Sequence, residues 1–148
     1  MKVKFQYGLA GYTGKADGLV FCYNRRMGRV YARKNISPKL VENHHKMGSI
    51  TANLHSLLPS TGFKDDLRLY VMRYNGLPEN AEKEMYSWVN IYLKMMHQLA
   101  KSFPEIDLKT ITRNYIYDND LPCISVKRAV EAGLLPPVTD WELLDRTL

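Results

Sequence analysis

The segment GLAGYTGKA, residues 8 to 16, is the first candidate for chemistry, because a glycine followed by lysine ends the loops that hold phosphates. Such a loop needs a glycine five positions before the Gly14-Lys15 pair, and a serine or threonine after the pair to bind magnesium. Position 9 is leucine and position 16 is alanine, so both requirements fail. We therefore predict that these glycines permit a tight bend or close backbone packing, and that they do not bind a nucleotide.

The four histidines do not have the spacing of a metal chelate. His44 and His45 are adjacent, and on a helix their side chains would diverge by about 100°. His44 and His55 would share a face but lie about 16 Å apart, and His97 stands alone. Neither cysteine has a neighbouring histidine. From these patterns we expect a protein that is not an enzyme, with no catalytic residue, metal site or cofactor.

The basic residues concentrate in the N-terminal third of the chain. Residues 1–48 hold ten lysines and arginines against two acidic residues, whereas residues 49–148 hold eleven against thirteen. The net charge of +6 therefore comes entirely from the first third. This asymmetry indicates a polyanionic partner, or an acidic surface on a neighbouring subunit.

An arginine-rich hairpin is the most specific basic feature. Arg25 and Arg26 fall at its tip, and Arg29 and Arg33 fall along one face with Tyr31 between them. Three interpretations stay open: a grip on nucleic-acid phosphates, an edge strand protected by charge, and contact with the acidic part of another copy. The residues predicted to bind phosphate or a partner are Lys15, Arg25, Arg26, Arg29, Tyr31, Arg33 and Lys34.

Strands are predicted to carry these basic residues. KVKFQY (residues 2–7) and RVYARK (residues 29–34) alternate polar and apolar residues, and LVFCY (residues 19–23) is apolar on both faces. In RVYARK, Val30 and Ala32 are expected to oppose Arg29, Tyr31 and Arg33. The predicted turn and close-packing positions are Gly11, Gly14, Gly18 and Gly28.

Helices are predicted from Ser37 onward. Ser37 suits an N-cap and Pro38 the first helical position, and this helix is expected to end before Pro59. Asp65 and Asp66 are expected in the first turn of the next helix, which buries one face. The longest helical pattern covers residues 81–103.

The C-terminal third contains shorter helical patterns. Asp107 is expected to cap residues 108–117, although the isoleucine, threonine and tyrosine content also fits a strand. Ser125 is expected to cap a helix that Gly133 ends, and Thr139 with Glu142 forms a predicted capping box.

These patterns predict an α+β fold, in which an N-terminal antiparallel β-ribbon or hairpin precedes a mainly helical body. We expect one domain over residues 1–148, with the ribbon in 1–35 and the helical body in 37–148. No apolar run approaches the roughly 18 residues that span a bilayer, and MKVKFQYGLAG lacks the apolar run of a signal peptide. We therefore expect no membrane partner, no classical secretion signal, and a location in the cytoplasm or in a virion.

The first 60 residues or so also resemble a family of uncharacterised small bacterial and prophage-associated proteins. The N-termini of that family read roughly G-x-x-G-x-x-G-K-x-G-x-V-V, then a short turn, then G-x-x-Y-x-R. The Arg25-Arg26 tip and the His44-His45 pair depart from that pattern, and the resemblance implies no activity. The matching residues are Gly8, Gly11, Gly14, Lys15, Gly18, Val20, Gly28, Tyr31 and Arg33.

Two functions are expected from the sequence. The first is a non-enzymatic structural or assembly protein of phage-virion or filament type, a homo-oligomer or part of a larger assembly, whose basic glycine-rich ribbon mediates subunit contacts. The alternative is a DNA- or RNA-binding protein that holds phosphates with the arginine-rich hairpin.

Overall fold

The computed structural model describes residues 2–4, 13–24, 28–37, 39, 41–80 and 83–148, and it confirms the predicted α+β class. The chain divides into two compact units, residues 1–41 (the sheet unit) and residues 42–148 (the helical unit). The expectation that residues 1–148 form one domain stays a prediction. The elements are β1 (Lys2–Lys4), β2 (Gly14–Ala16), β3 (Leu19–Asn24), β4 (Arg29–Lys34), α1 (Glu42–Ser56), α2 (Thr61–Gly76), α3 (Trp88–Ser102), α4 (Arg113–Asp118) and α5 (Val126–Glu131).

The sheet unit contains a four-stranded antiparallel sheet in the order β1-β4-β3-β2. Asp17 and Gly18 join β2 to β3, with φ angles of +48° and +71°. Two left-handed residues in a two-residue connection form a type I′ turn, whose twist matches that of the strands. The predicted pairing of LVFCY with RVYARK is confirmed by the ladder between β3 and β4. Strand β2, in contrast, lies in the segment where the sequence predicted only a bend.

Helix α1 begins at Glu42, five residues after the predicted cap at Ser37. The backbone N–H of Asn35 donates to the Gly18 carbonyl at 2.8 Å, so sheet pairing continues past the end of β4. Pro38 lies outside the described residues. Helix α2 begins at Thr61 with Ser60 as its N-cap, so Asp65 and Asp66 lie beyond the first turn in which they were predicted.

Helix α3 begins at Trp88, seven residues later than the sequence predicts, because another helix holds the preceding segment. The Asn75 side chain in α2 accepts a hydrogen bond from the Met85 backbone N–H at 2.8 Å. The same side chain donates to the Met85 carbonyl at 2.7 Å. Both backbone groups of Met85 are thus used outside a helix, and Ser87 caps α3 instead.

The prediction of a helix over 108–117 is correct only for its second half. The Asn53 side chain donates to the carbonyls of Leu108 and Ile111, each at 3.0 Å. These contacts fix the first half as a turn, and α4 begins at Arg113 after a Thr112 cap.

The end of the chain shows one confirmed prediction and one that is wrong. Ser125 caps α5, and Gly133 follows it at a φ of +72° with the two backbone hydrogen bonds of a Schellman motif. The capping box at Thr139 and Glu142 is wrong, because residues 141–143 form a single 3-10 turn. The backbone beyond that turn bonds elsewhere: Lys127 donates to the Leu144 carbonyl at 2.9 Å, and Tyr117 donates to the Leu148 carbonyl at 2.6 Å.

The core of the helical unit lies between α1, α2, α3 and the C-terminal segments. Leu54, Phe63 and Tyr92 are completely buried, and the rings of Phe63 and Tyr92 meet edge to face at 6.2 Å. On α2, Leu67, Tyr70, Val71 and Tyr74 are all buried, which confirms the expectation that this helix buries one face.

Candidate functional site

The side chains of strand β4 alternate between a buried face and an exposed face of the sheet. Val30 and Ala32 are 7% and 1% exposed, whereas Arg33 is exposed and Tyr31 is half-buried. Successive residues of a strand point to opposite faces, so the predicted opposition of Val30 and Ala32 to Tyr31 and Arg33 is confirmed.

The pairing register extends the exposed face of β4 across the sheet, because directly paired residues share a face. Arg33 pairs with Val20 on β3, and Val20 pairs in turn with Lys15 on β2. On the other side, Arg33 pairs with Lys2 on β1. One row across four strands therefore contains three basic register positions.

Two further rows complete this face. In the next row Tyr31 pairs with Cys22 on β3 and with Lys4 on β1, and in the last row Arg29 pairs with Asn24. Neighbouring strands lie about 4.8 Å apart, and alternate residues on a strand lie about 6.7 Å apart. We call this set the basic face; it consists of the register positions of Lys2, Lys4, Lys15, Val20, Cys22, Asn24, Arg29, Tyr31 and Arg33.

The side chains of the basic face differ in exposure. Those of Lys15 and Arg33 are exposed, and those of Val20, Cys22 and Tyr31 are half-buried. Along β4, Arg29 and Arg33 occupy the positions two residues before and after Tyr31. The basic face thus has an aromatic and apolar centre with basic register positions around it.

Not every residue predicted from the sequence belongs to the basic face. Lys34 is exposed but pairs with Leu19, which puts it at a register position of the opposite face. The predicted binding residues Arg25 and Arg26 lie outside the described residues, and so does Gly11.

The predicted structural glycines have different positions. Gly18 and Gly28 adopt positive φ angles of +71° and +58° in the connections that precede β3 and β4. Gly14 instead begins β2, where it pairs with Phe21. Strand β2, and with it the position of Lys15 in the sheet, was not predicted from the sequence. The Asp17-Gly18 dipeptide was the available signal, since Asp-Gly is a preferred sequence for a type I′ hairpin turn.

The formal charge is divided sharply between the two units. The sheet unit contains nine lysines and arginines and one acidic residue, a balance of +8, while the helical unit contains twelve against fourteen, a balance of −2. Some carboxylates of the helical unit already form ion pairs with arginines of the same unit. Arg128 donates to both carboxylate oxygens of Asp120 at 2.6 Å, and this hydrogen bonding lowers the pKa of Asp120.

The helical unit also contains a cavity of about 530 Å³, lined in part by Met47, Ile50, His97 and Leu108. The Nε2 atom of His97 is buried and has no hydrogen-bond partner among the described residues. Among those same residues, no three His, Cys, Asp or Glu side chains form a group that could hold a metal ion.

We expect only one of the two cysteines to react with a thiol reagent in the folded protein. Cys22 is half-buried on the basic face, whereas Cys123 is completely buried, and burial raises the pKa of Cys123 to about 12. Intact mass spectrometry after maleimide treatment should show one adduct for the folded chain and none for Cys22→Ser. Two adducts on the folded wild-type chain, or any adduct on folded Cys22→Ser, would contradict the burial of Cys123.

No protein-family model, curated protein or solved structure matches this chain. The resemblance to small bacterial and prophage-associated proteins stays a prediction. Within the described part of the chain, no helix has the length and apolar content needed to cross a membrane.

Proposed function

We propose that this protein is a non-enzymatic nucleic-acid-binding protein that contacts phosphates through its basic face. The observation that supports the proposal best is the pairing register, which places Lys15 and Arg33 in one row with Lys2. Lysine and arginine are the usual ligands of phosphate groups in protein complexes with nucleic acids. A row of them on an exposed sheet surface can follow a phosphate backbone without reading its sequence.

The charge division favours a nucleic-acid partner over an acidic surface of another copy. The helical unit offers a formal balance of only −2 against +8 on the sheet unit. Several of its carboxylates also lie within 4 Å of arginines of the same unit, including Asp65, Asp66, Asp120 and Asp140. A second copy therefore complements the basic face poorly, whereas a polyphosphate complements it well. Assembly through the ribbon stays a prediction.

Fluorescence anisotropy with a labelled oligonucleotide tests this proposal. If the face neutralises about four phosphates of a single strand, the logarithm of the association constant should fall by about 3 per tenfold increase in salt. Polyglutamate at the same charge concentration serves as the competitor, because it carries carboxylates but neither phosphates nor bases. We expect it to displace the oligonucleotide poorly.

Two results would overturn the proposal. The first is no measurable binding at about 50 mM salt, where electrostatic binding to nucleic acids is strong. The second is equal competition by polyglutamate, which would favour an acidic protein as the partner. Light scattering on the same sample compares the mass in solution with the 17.1 kDa chain, and a much larger species would support the assembly function instead.

A further inference from the structure

We infer that the nucleic acid bound by the basic face is single-stranded and that one of its bases stacks on Tyr31. This inference rests on the proposed function and adds the class of ligand to it. The residues at the centre of the face are not charged. Tyr31 and Cys22 form one cross-strand pair there, and Val20 occupies the neighbouring row.

The exposure of these central residues fits a base better than a phosphate. Tyr31, Cys22 and Val20 are all half-buried, so part of each side chain stays accessible while the rest packs in the sheet. A phosphate forms few favourable contacts with such an uncharged surface. A base has an apolar π-face, and stacking on an aromatic side chain is the usual way in which proteins hold unpaired bases.

The basic positions around Tyr31 fit the phosphates on either side of a stacked base. Arg29 and Arg33 occupy register positions on β4 about 6.7 Å before and after Tyr31. The two register positions are therefore about 13 Å apart, roughly two phosphate spacings of an extended single strand, so each arginine fits a phosphate on its own side of the stacked base. Lys15 extends the row of Arg33 toward β2. The bound nucleic-acid strand can therefore continue across the sheet.

Duplex DNA fits the same face less well. The row from Lys2 to Lys15 crosses four strands and covers about 14 Å. The major groove is only about 12 Å wide, so a surface of this width does not enter it in the way a two-stranded ribbon does. The bases of a duplex are also stacked on one another, which leaves no π-face for Tyr31.

The experiment compares a single strand with a blunt duplex of the same length, for wild type, Tyr31→Leu and Tyr31→Phe. We expect Tyr31→Leu to weaken single-strand binding about 10-fold, because it removes one stacking contact but keeps apolar bulk. Tyr31→Phe keeps the ring and should bind the single strand within about twofold of wild type. Duplex binding, which uses phosphates alone, should change little in either variant.

RNA and DNA single strands of one sequence are expected to bind with affinities within about threefold, since phosphates and base faces are common to both. A measurement on the unmodified chain accompanies the variants. A single strand bound over Tyr31 also covers its cross-strand partner Cys22, so it should slow maleimide modification of Cys22 more than an equal concentration of duplex does.

The outcomes separate this inference from the proposed function. Equal wild-type affinity for single strand and duplex, or equal losses for both ligands in Tyr31→Leu, would overturn the stacking inference while the phosphate-binding proposal stands. Unchanged single-strand affinity in Tyr31→Leu would overturn it as well. A complete lack of binding by wild type would overturn the proposed function itself. If Tyr31→Leu fails to fold, protection of Cys22 in the wild-type chain decides the question.

Discussion

Replacing Lys15 and Arg33 together with glutamate is expected to weaken single-strand binding about 100-fold at low salt. Both side chains are exposed, and their register positions lie in one row of the basic face, separated by Val20. Each substitution removes one charge-assisted contact to phosphate, and a contact of about 1.4 kcal/mol corresponds to a factor of 10 in affinity. Anisotropy titrations at a fixed low salt concentration measure this loss.

The salt dependence gives a second value for the same double variant. If Lys15 and Arg33 each neutralise one phosphate of a single strand, the slope of the log–log salt plot should become shallower by about 1.4. A loss of affinity without a change in slope would mean that the two residues do not contact phosphates. Because both residues are exposed, the far-UV circular dichroism of the variant should match that of wild type.

A matched control separates the location of the charges from their number. The double variant Lys34→Glu, Lys39→Glu changes the net charge of the sheet unit by the same amount, from +8 to +4. Both lysines are exposed, but Lys34 pairs with Leu19 at a register position of the opposite face. We expect this control to lose less than about fivefold, because only long-range electrostatic attraction changes. Equal losses in the two double variants would contradict a specific basic face.

The basic face could be predicted from the sequence only in part, because it depends on the pairing register. Alternation in RVYARK correctly separated Val30 and Ala32 from Arg33. The same alternation puts Lys34 and Arg33 on opposite faces, although both were among the residues predicted to bind phosphate or a partner. The position of Lys15 depends on strand β2 and the Asp17-Gly18 turn, which set its register against Val20.

The helices show a similar division between local and distant causes. The end of α5 was predictable because Ser125 and Gly133 act within the helix and the turn that follows it. The start of α3 was not predictable from its own residues, since Asn75 on another helix takes both backbone groups of Met85. The turn before α4 likewise depends on Asn53, which is more than 50 residues away in the chain.

Tyr92→Ala is expected to be the most destabilising substitution considered for the helical unit, with a loss of about 4 kcal/mol in the free energy of unfolding. Tyr92 is completely buried, and its ring centroid lies 6.2 Å from those of both Phe63 and Trp88. The alanine variant would leave a large cavity between α2 and α3. Because a domain of this size is typically stable by about 5–15 kcal/mol, such a loss should shift the urea midpoint strongly.

Tyr92→Phe tests the hydroxyl group separately from the ring. The hydroxyl donates to the Leu54 carbonyl at 3.1 Å, in the last turn of α1, where carbonyls lack partners within the helix. Burial raises the pKa of Tyr92, so the group stays protonated and able to donate. Its removal leaves a buried carbonyl unpaired, and we expect a cost of about 1–2 kcal/mol.

Tryptophan fluorescence during urea unfolding measures these losses in the correct unit, since Trp88 and Trp141, the two tryptophans of the chain, both lie in the helical unit. Met72→Ala is the control, because Met72 is 70% exposed on α2 and its truncation should cost about 0.5 kcal/mol or less. The expected order of destabilisation is therefore Tyr92→Ala, then Tyr92→Phe, then Met72→Ala. If Tyr92→Phe costs as much as Tyr92→Ala, the hydrogen bond to α1 matters more than ring packing. If Tyr92→Ala lowers the free energy of unfolding no more than Met72→Ala does, Tyr92 does not occupy the core between α1, α2 and α3.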